Sequence, residues 1–87
     1  KQNILHLNYH IMYPEYLLLK GIFLYKTSEP MKALDVLQKI LIEYRDALEN
    51  QEDLSETLWW IGLIYLEQKK IDFAIKHFKR CKQLAIK

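Results

Sequence analysis

His6 and His10 stand four apart, a spacing that on a helix puts two imidazoles on one side and within reach of a single metal ion. No paired cysteine, no HExxH and no third ligand at a metal-binding spacing accompanies them, so both read as surface or partly buried histidines, and we expect no metal and no cofactor. His77 lies between Lys76 and Lys79, the setting of a solvated helix face. Cys81, the only cysteine, falls in the apolar stripe of its segment and reads as a core thiol rather than a nucleophile. Alone it forms neither an internal disulfide nor a structural zinc site, which suits a reducing compartment and a cytoplasmic location. Gly21 and Gly62 are too far apart for a phosphate-binding loop, and no Ser-His-Asp arrangement can be assembled. We therefore expect a protein that is not an enzyme.

Two further features bear on binding. In Trp59-Trp60 the adjacent side chains point about 100° apart on a helix, so one indole belongs to the core and the other, Trp59, to an exposed surface. Charge is also unevenly spread. Between Glu43 and Glu56 six acids face only Arg45, whereas between Lys69 and Lys87 seven bases face only Asp72. Lys76, Lys79, Arg80 and Lys82 give the last segment a basic face, whose bland role is solvation and compensation of a helix dipole. An acidic partner surface is the functional alternative. Nucleic acid is disfavoured, because the only aromatics interleaved there, Phe73 and Phe78, are claimed by the core.

The elements that hold these residues follow from composition and periodicity. Of the 87 residues 51% are hydrophobic and 28% charged, with two Gly and two Pro, too apolar for disorder and too poor in turn residues for a loop-rich fold. The net charge of +2 demands no polyanionic partner. The longest apolar run, Leu58 to Leu66, falls far short of the roughly 20 residues of a membrane-spanning helix, so no membrane insertion is expected. The chain opens on Lys1 without a leader pattern, and we expect a piece of a longer protein.

Slid along itself until Gly21 meets Gly62, the sequence matches: Glu15, Leu17 and Ala33 then meet Glu56, Leu58 and Ala74, and eight apolar positions meet apolar positions without a gap. Punctuation divides each copy into two helices. Tyr13-Pro14 starts the first, which runs to about Lys26; Thr27-Ser28-Glu29-Pro30 caps a second, reaching about Glu49 along the stripe Met31, Leu34, Leu37, Leu41 and Leu48. Asp53 with Glu56 forms a capping box for a third, ending near Gln68, and Asp72 caps a fourth. Residues 1–12 read as the end of a preceding helix, 13–50 as one repeat with a long second helix, and 51–87 as another.

In both copies a glycine in the first helix is followed by an alanine early in the second and a bulky apolar residue one turn beyond it: Gly21, Ala33 and Leu37, then Gly62, Ala74 and Phe78. By this spacing the chain resembles the tetratricopeptide repeat family. Leu58, Ile61, Gly62, Tyr65, Ala74, Phe78 and Cys81 carry the resemblance in the second copy, and Leu17, Gly21, Leu24, Ala33, Leu37 and Ile40 in the first. The Gly21-to-Gly62 interval exceeds the family's usual repeat of about 34 residues. We assign the excess to extension of the second helix through Arg45 to Asn50, and Lys20 stands where the other copy has Ile61. The resemblance implies an all-α superhelix fragment of antiparallel helix pairs, four main helices and an N-terminal helix end, with Gly21, Ala33, Gly62, Ala74 and Phe78 at the helix contacts. It further implies a scaffold that binds another protein or peptide in a concave groove. The groove positions of the family fall on Leu18, Ile22, Tyr25, Trp59, Leu63 and Leu66. All six lack the charges that clamp a chaperone carboxylate and suit an amphipathic helix instead. Two repeats are fewer than a solenoid usually needs, so self-association or a structural role in a larger assembly is the alternative.

Overall fold

The computed structural model describes the backbone of residues 2–44 and 51–85 and the side chains of residues 13–44 and 52–84. Four α-helices account for all the regular structure of the described residues: α1 (Gln2–Lys26), α2 (Pro30–Glu43), α3 (Gln51–Glu67) and α4 (Ile71–Ala85). The protein is all-α.

Within each pair, the first helix meets the second through a short turn, and the two turns are the same object. At the first, the Ser28 amide donates to the Tyr25 carbonyl (3.2 Å) and the Glu29 amide to Leu24 (2.9 Å); at the second, Lys69 donates to Leu66 and Lys70 to Tyr65, both at 2.9 Å. These are paired Schellman bonds, and they require a left-handed residue just past the helix end. Ser28 (φ 67°) and Lys69 (φ 63°) occupy that position. Every partner in one turn is separated from its counterpart in the other by the Gly21-to-Gly62 interval, so the internal match of the sequence is carried into the backbone.

The helix pairs are antiparallel. Tyr13 packs edge-on to Tyr44 at 5.4 Å and Gly21 lies against Leu37 across α1 and α2, while Ser55 contacts Cys81 and Gly62 lies against Phe78 across α3 and α4. The helices approach closely at both glycines: a Cβ on Gly21 would stand 2.6 Å from Leu37 Cδ2, and one on Gly62 would stand 2.7 Å from Phe78 Cε1, so either side chain would have to shift to admit it. Ala33 and Ala74 are both buried. The small residues at Gly21, Ala33, Gly62 and Ala74 thus sit inside the helix pairs.

The two pairs then stack. α3 crosses back along α2, with Gln38 donating to the Tyr65 hydroxyl (2.7 Å), and runs alongside α1, where Tyr25 meets Trp60 and Glu67. Packed on α1, α2 and α4 at once, α3 buries Leu54, Leu58, Ile61 and Ile64, which is why its apolar residues are not confined to one stripe. Leu17, Leu18, Leu34, Leu37 and Ile40 supply the opposing wall. Full burial of side chains such as Leu37 and Ile61 contributes about 1.5–3 kcal/mol each. Thr57, the one buried polar residue of the described core, donates its hydroxyl to the Asp53 carbonyl of its own helix at 2.8 Å.

Helix boundaries differ from the sequence expectation in specific ways. Pro14 does not begin a helix: α1 runs through it, so residues 2–12 and the segment that follows are one helix and the boundary expected between 12 and 13 falls inside it. A proline forfeits one backbone bond in a helix interior. Here the Pro14 ring is fully buried beside the Tyr13–Tyr44 contact, a packing gain that a local reading of turn residues does not register. Thr27 and Ser28 do not cap α2; the Thr27 hydroxyl turns back to the Phe23 carbonyl (2.9 Å), and Glu29 precedes Pro30 with no side-chain cap bond. Asp53 lies within the first turn of α3 rather than ahead of it, and Asp72 within that of α4, where both acids complement the positive helix end. α2 ends at Glu43 with Tyr44 as its C-cap. The expected extension through Arg45 to Asn50 lies outside the described residues.

Candidate functional site

The six residues expected to line one apolar hollow fall into two groups. Leu18, Ile22 and Tyr25 lie along the seam between α1 and α3. Leu18 is buried and Ile22 half-buried, and with Glu15 and Leu19 they form one wall of a shallow furrow whose other wall is Asp53 and Glu56. Tyr25 closes the far end of the seam: its ring sits 5.4 Å from Trp60, and its hydroxyl donates to the Glu67 carboxylate. That hydrogen bond, together with burial and the negative charge, holds the Tyr25 phenol above its ordinary value of 10.0. The trio from α1 is therefore largely occupied by α3.

Trp59, Leu63 and Leu66 are the second-copy counterparts of that trio, on a helix side that no described element covers. Trp59 is 42% exposed and Leu66 44%, with Leu63 half-buried between them. Ile75 of α4 extends the patch at 46% exposure; its counterpart Leu34 is only 6% exposed, because α3 lies on it. The register set by Gly62 against Phe78 and Ser55 against Cys81 brings Ile75 level with Leu63. Trp60 turns the other way, 5.0 Å from Trp59 and against the core, with its indole donating to Glu56 at 3.3 Å. The two indoles thus divide as their separation of about 100° around the helix requires.

Ile75 was not among the expected groove residues, yet its sequence carries the signal: a buried position in the first copy and an apolar residue at the same position in the second. A second apolar surface, Tyr16, Leu19 and Phe23 on α1, is exposed at 52%, 68% and 64%. Their counterparts on α3 are Thr57, Trp60 and Ile64, the side by which α3 packs on α1 and α2.

Lys76, Lys79, Arg80 and Lys82 are all exposed on α4. Lys76 and Arg80, with His77, rim a cavity of about 100 Å³ whose floor is Leu41, Leu54 and Leu58. His77 is not on a freely solvated face: it is half-buried, 5.3 Å from the Tyr65 ring, with Nδ1 at 2.7 Å from the Phe73 carbonyl. Cys81 is half-buried, its Sγ 3.0 Å from the Ser55 hydroxyl at the α3–α4 contact. Among the described residues no three His, Cys, Asp or Glu side chains are placed to hold a metal, and no helix is long and apolar enough to cross a membrane. The side chains of His6 and His10 lie outside the described residues.

What this arrangement offers chemically is contact: an aromatic-aliphatic face on α3 and α4, bordered by ammonium groups, and a second apolar face on α1. No protein-family model, curated protein or solved structure matches the chain.

Proposed function

We propose that this chain is a non-catalytic protein-interaction scaffold that takes a partner helix or peptide on the apolar surface of its helix pairs. The observation that carries the proposal is the open patch of Trp59, Leu63, Leu66 and Ile75, built from the same positions that the first helix pair uses to hold α3. A half-exposed indole amid aliphatic side chains is the composition of an interface anchor. The resemblance to tetratricopeptide repeats supports the same role.

The test is a titration of the 87-residue chain with fluorescently tagged amphipathic helical peptides of varied charge, read by anisotropy. Trp59→Ala abolishes binding while helicity and melting temperature hold. If no peptide of any charge binds at micromolar concentration, the scaffold role on this face is wrong.

The exposed Tyr16, Leu19 and Phe23 favour a second role, self-association within a larger assembly. It predicts a concentration-dependent increase in size that Phe23→Asp removes.

A further inference from the structure

The open face of α3 and α4 repeats a face that is filled elsewhere in the molecule, and the filled copy defines what the open one would accept. α3 lies on α1 and α2 through known partners. Gln38 bonds to Tyr65, Leu41 shares a cavity floor with Leu54 and Leu58, and Leu34 packs in one cluster with Ile61 and Ile64. Shifted by the Gly21-to-Gly62 interval, Leu34 becomes Ile75, Gln38 becomes Lys79 and Leu41 becomes Lys82. The apolar part of the seat is retained, and the edge on α4 has turned cationic.

Resting on the scaffold role above, we propose that the face of Trp59, Leu63, Leu66 and Ile75 docks an amphipathic helix of a separate protein that carries carboxylates along the edge lying over α4. The spacing follows from the filled copy. Positions opposite Leu41 and Gln38 are Leu54, Leu58 and Tyr65, so the docked helix bears acids at i, i+4 and i+11, with apolar residues at the counterparts of Ile61 and Ile64 facing Ile75. An ammonium pressed beneath a neutral helix loses hydration with no compensation, whereas a carboxylate opposite it restores the interaction and rejects basic competitors.

Charge selects this occupant over a second copy of the chain. The helix side that a second copy offers is that of α1, which presents Lys20 where α3 has the fully buried Ile61, and this would press an ammonium group onto the apolar Ile75.

The probe is a tagged peptide of residues 52–68 carrying Leu54→Glu, Leu58→Glu and Tyr65→Glu, compared with the same peptide carrying lysine at the three positions. The acidic peptide binds the whole chain on the order of tenfold more tightly at low salt, and the difference shrinks as salt is raised. The double variant Lys79→Glu, Lys82→Glu, with both sites exposed and its fold checked by circular dichroism, reverses the preference. Equal binding of both peptides overturns the charged-edge proposal and leaves the scaffold role standing. Binding of neither overturns both. Growth in size of the chain on concentration, blocked by Trp59→Asp and without peptide binding, assigns the face to a second copy and overturns the proposal.

Discussion

Gly21 and Leu37 approach so closely that a methyl group on Gly21 would lie 2.6 Å from Leu37 Cδ2 and 2.7 Å from its Cγ. Gly62 and Phe78, their counterparts in the second copy, stand in the same relation. The two contacts differ in how much room the larger partner has. Leu37 is fully buried, while the Phe78 ring is half-buried and able to swing outward.

Gly→Ala at the two sites should therefore give different results. In a helix the replacement gains about 0.8–1 kcal/mol of propensity, against about 1–3 kcal/mol for overpacking a core that cannot yield. We expect Gly21→Ala to destabilise by about 1–2 kcal/mol and Gly62→Ala to be within about 1 kcal/mol of neutral, measured by urea denaturation. Adding Leu37→Ala should recover none of the Gly62→Ala effect, and it should reduce the further penalty of Gly21→Ala. Equal costs at both glycines would contradict the packing described.

Ser28 and Lys69 hold left-handed backbone at the ends of α1 and α3, a conformation that costs an L-residue about 1 kcal/mol and glycine almost nothing. Ser28→Gly and Lys69→Gly should each stabilise the protein by about 0.5 kcal/mol or more, part of the gain being offset by the larger entropy of glycine in the unfolded chain. Thermal melts of the two single variants and their combination test this; the two turns are neighbours, joined by the Tyr25–Glu67 and Gln68–Met31 hydrogen bonds, so any departure from additive shifts measures their coupling.

Tyr25 titrates at higher pH in the folded chain than when unfolded, because its hydroxyl proton is held by the Glu67 carboxylate and its ring is partly covered. Folding thus holds that proton more firmly. The stabilisation is complete below the ordinary phenol value of 10.0 and is lost as pH rises through the raised one. Tyr25→Phe should remove this alkaline component, so that the stability difference between the two proteins narrows above that pH. Glu67→Gln should lower the phenol toward its ordinary value, which ultraviolet titration would detect. An unchanged titration in Glu67→Gln would exclude the α1–α3 hydrogen bond.

Trp59 and Ile61 are close neighbours on α3 but in opposite environments, 42% and 0% exposed. Ile61→Ala should cost about 2–5 kcal/mol, the usual loss for emptying a core aliphatic site. Trp59→Ala should cost under about 1 kcal/mol and leave the far-ultraviolet circular dichroism unchanged. Comparable losses at both would mean that Trp59 serves the fold rather than a partner.

Much of the architecture was legible in the chain. The internal match placed Gly21 with Gly62 and Ala33 with Ala74, and the coordinates seat these pairs inside the two helix hairpins and repeat the turn bonds at the same offset. Less legible was Pro14, whose place inside α1 goes with the full burial of its ring, which the residues beside it in the chain do not announce. Capping also misled. Thr27 and Ser28 carry the right atoms to start α2, but the left-handed turn that ends α1 took precedence.

Periodicity reports which residues seek to leave water and how often they recur, and that is enough to specify helices and the all-α class. It does not report which neighbour reaches a given apolar face first. Leu18, Ile22 and Tyr25 look like Trp59, Leu63 and Leu66 in the chain, yet α3 lies along the first trio and no described element covers the second. Their different exposures arise from the stacking of one helix pair on the other, a long-range arrangement in which equal side chains meet unequal surroundings.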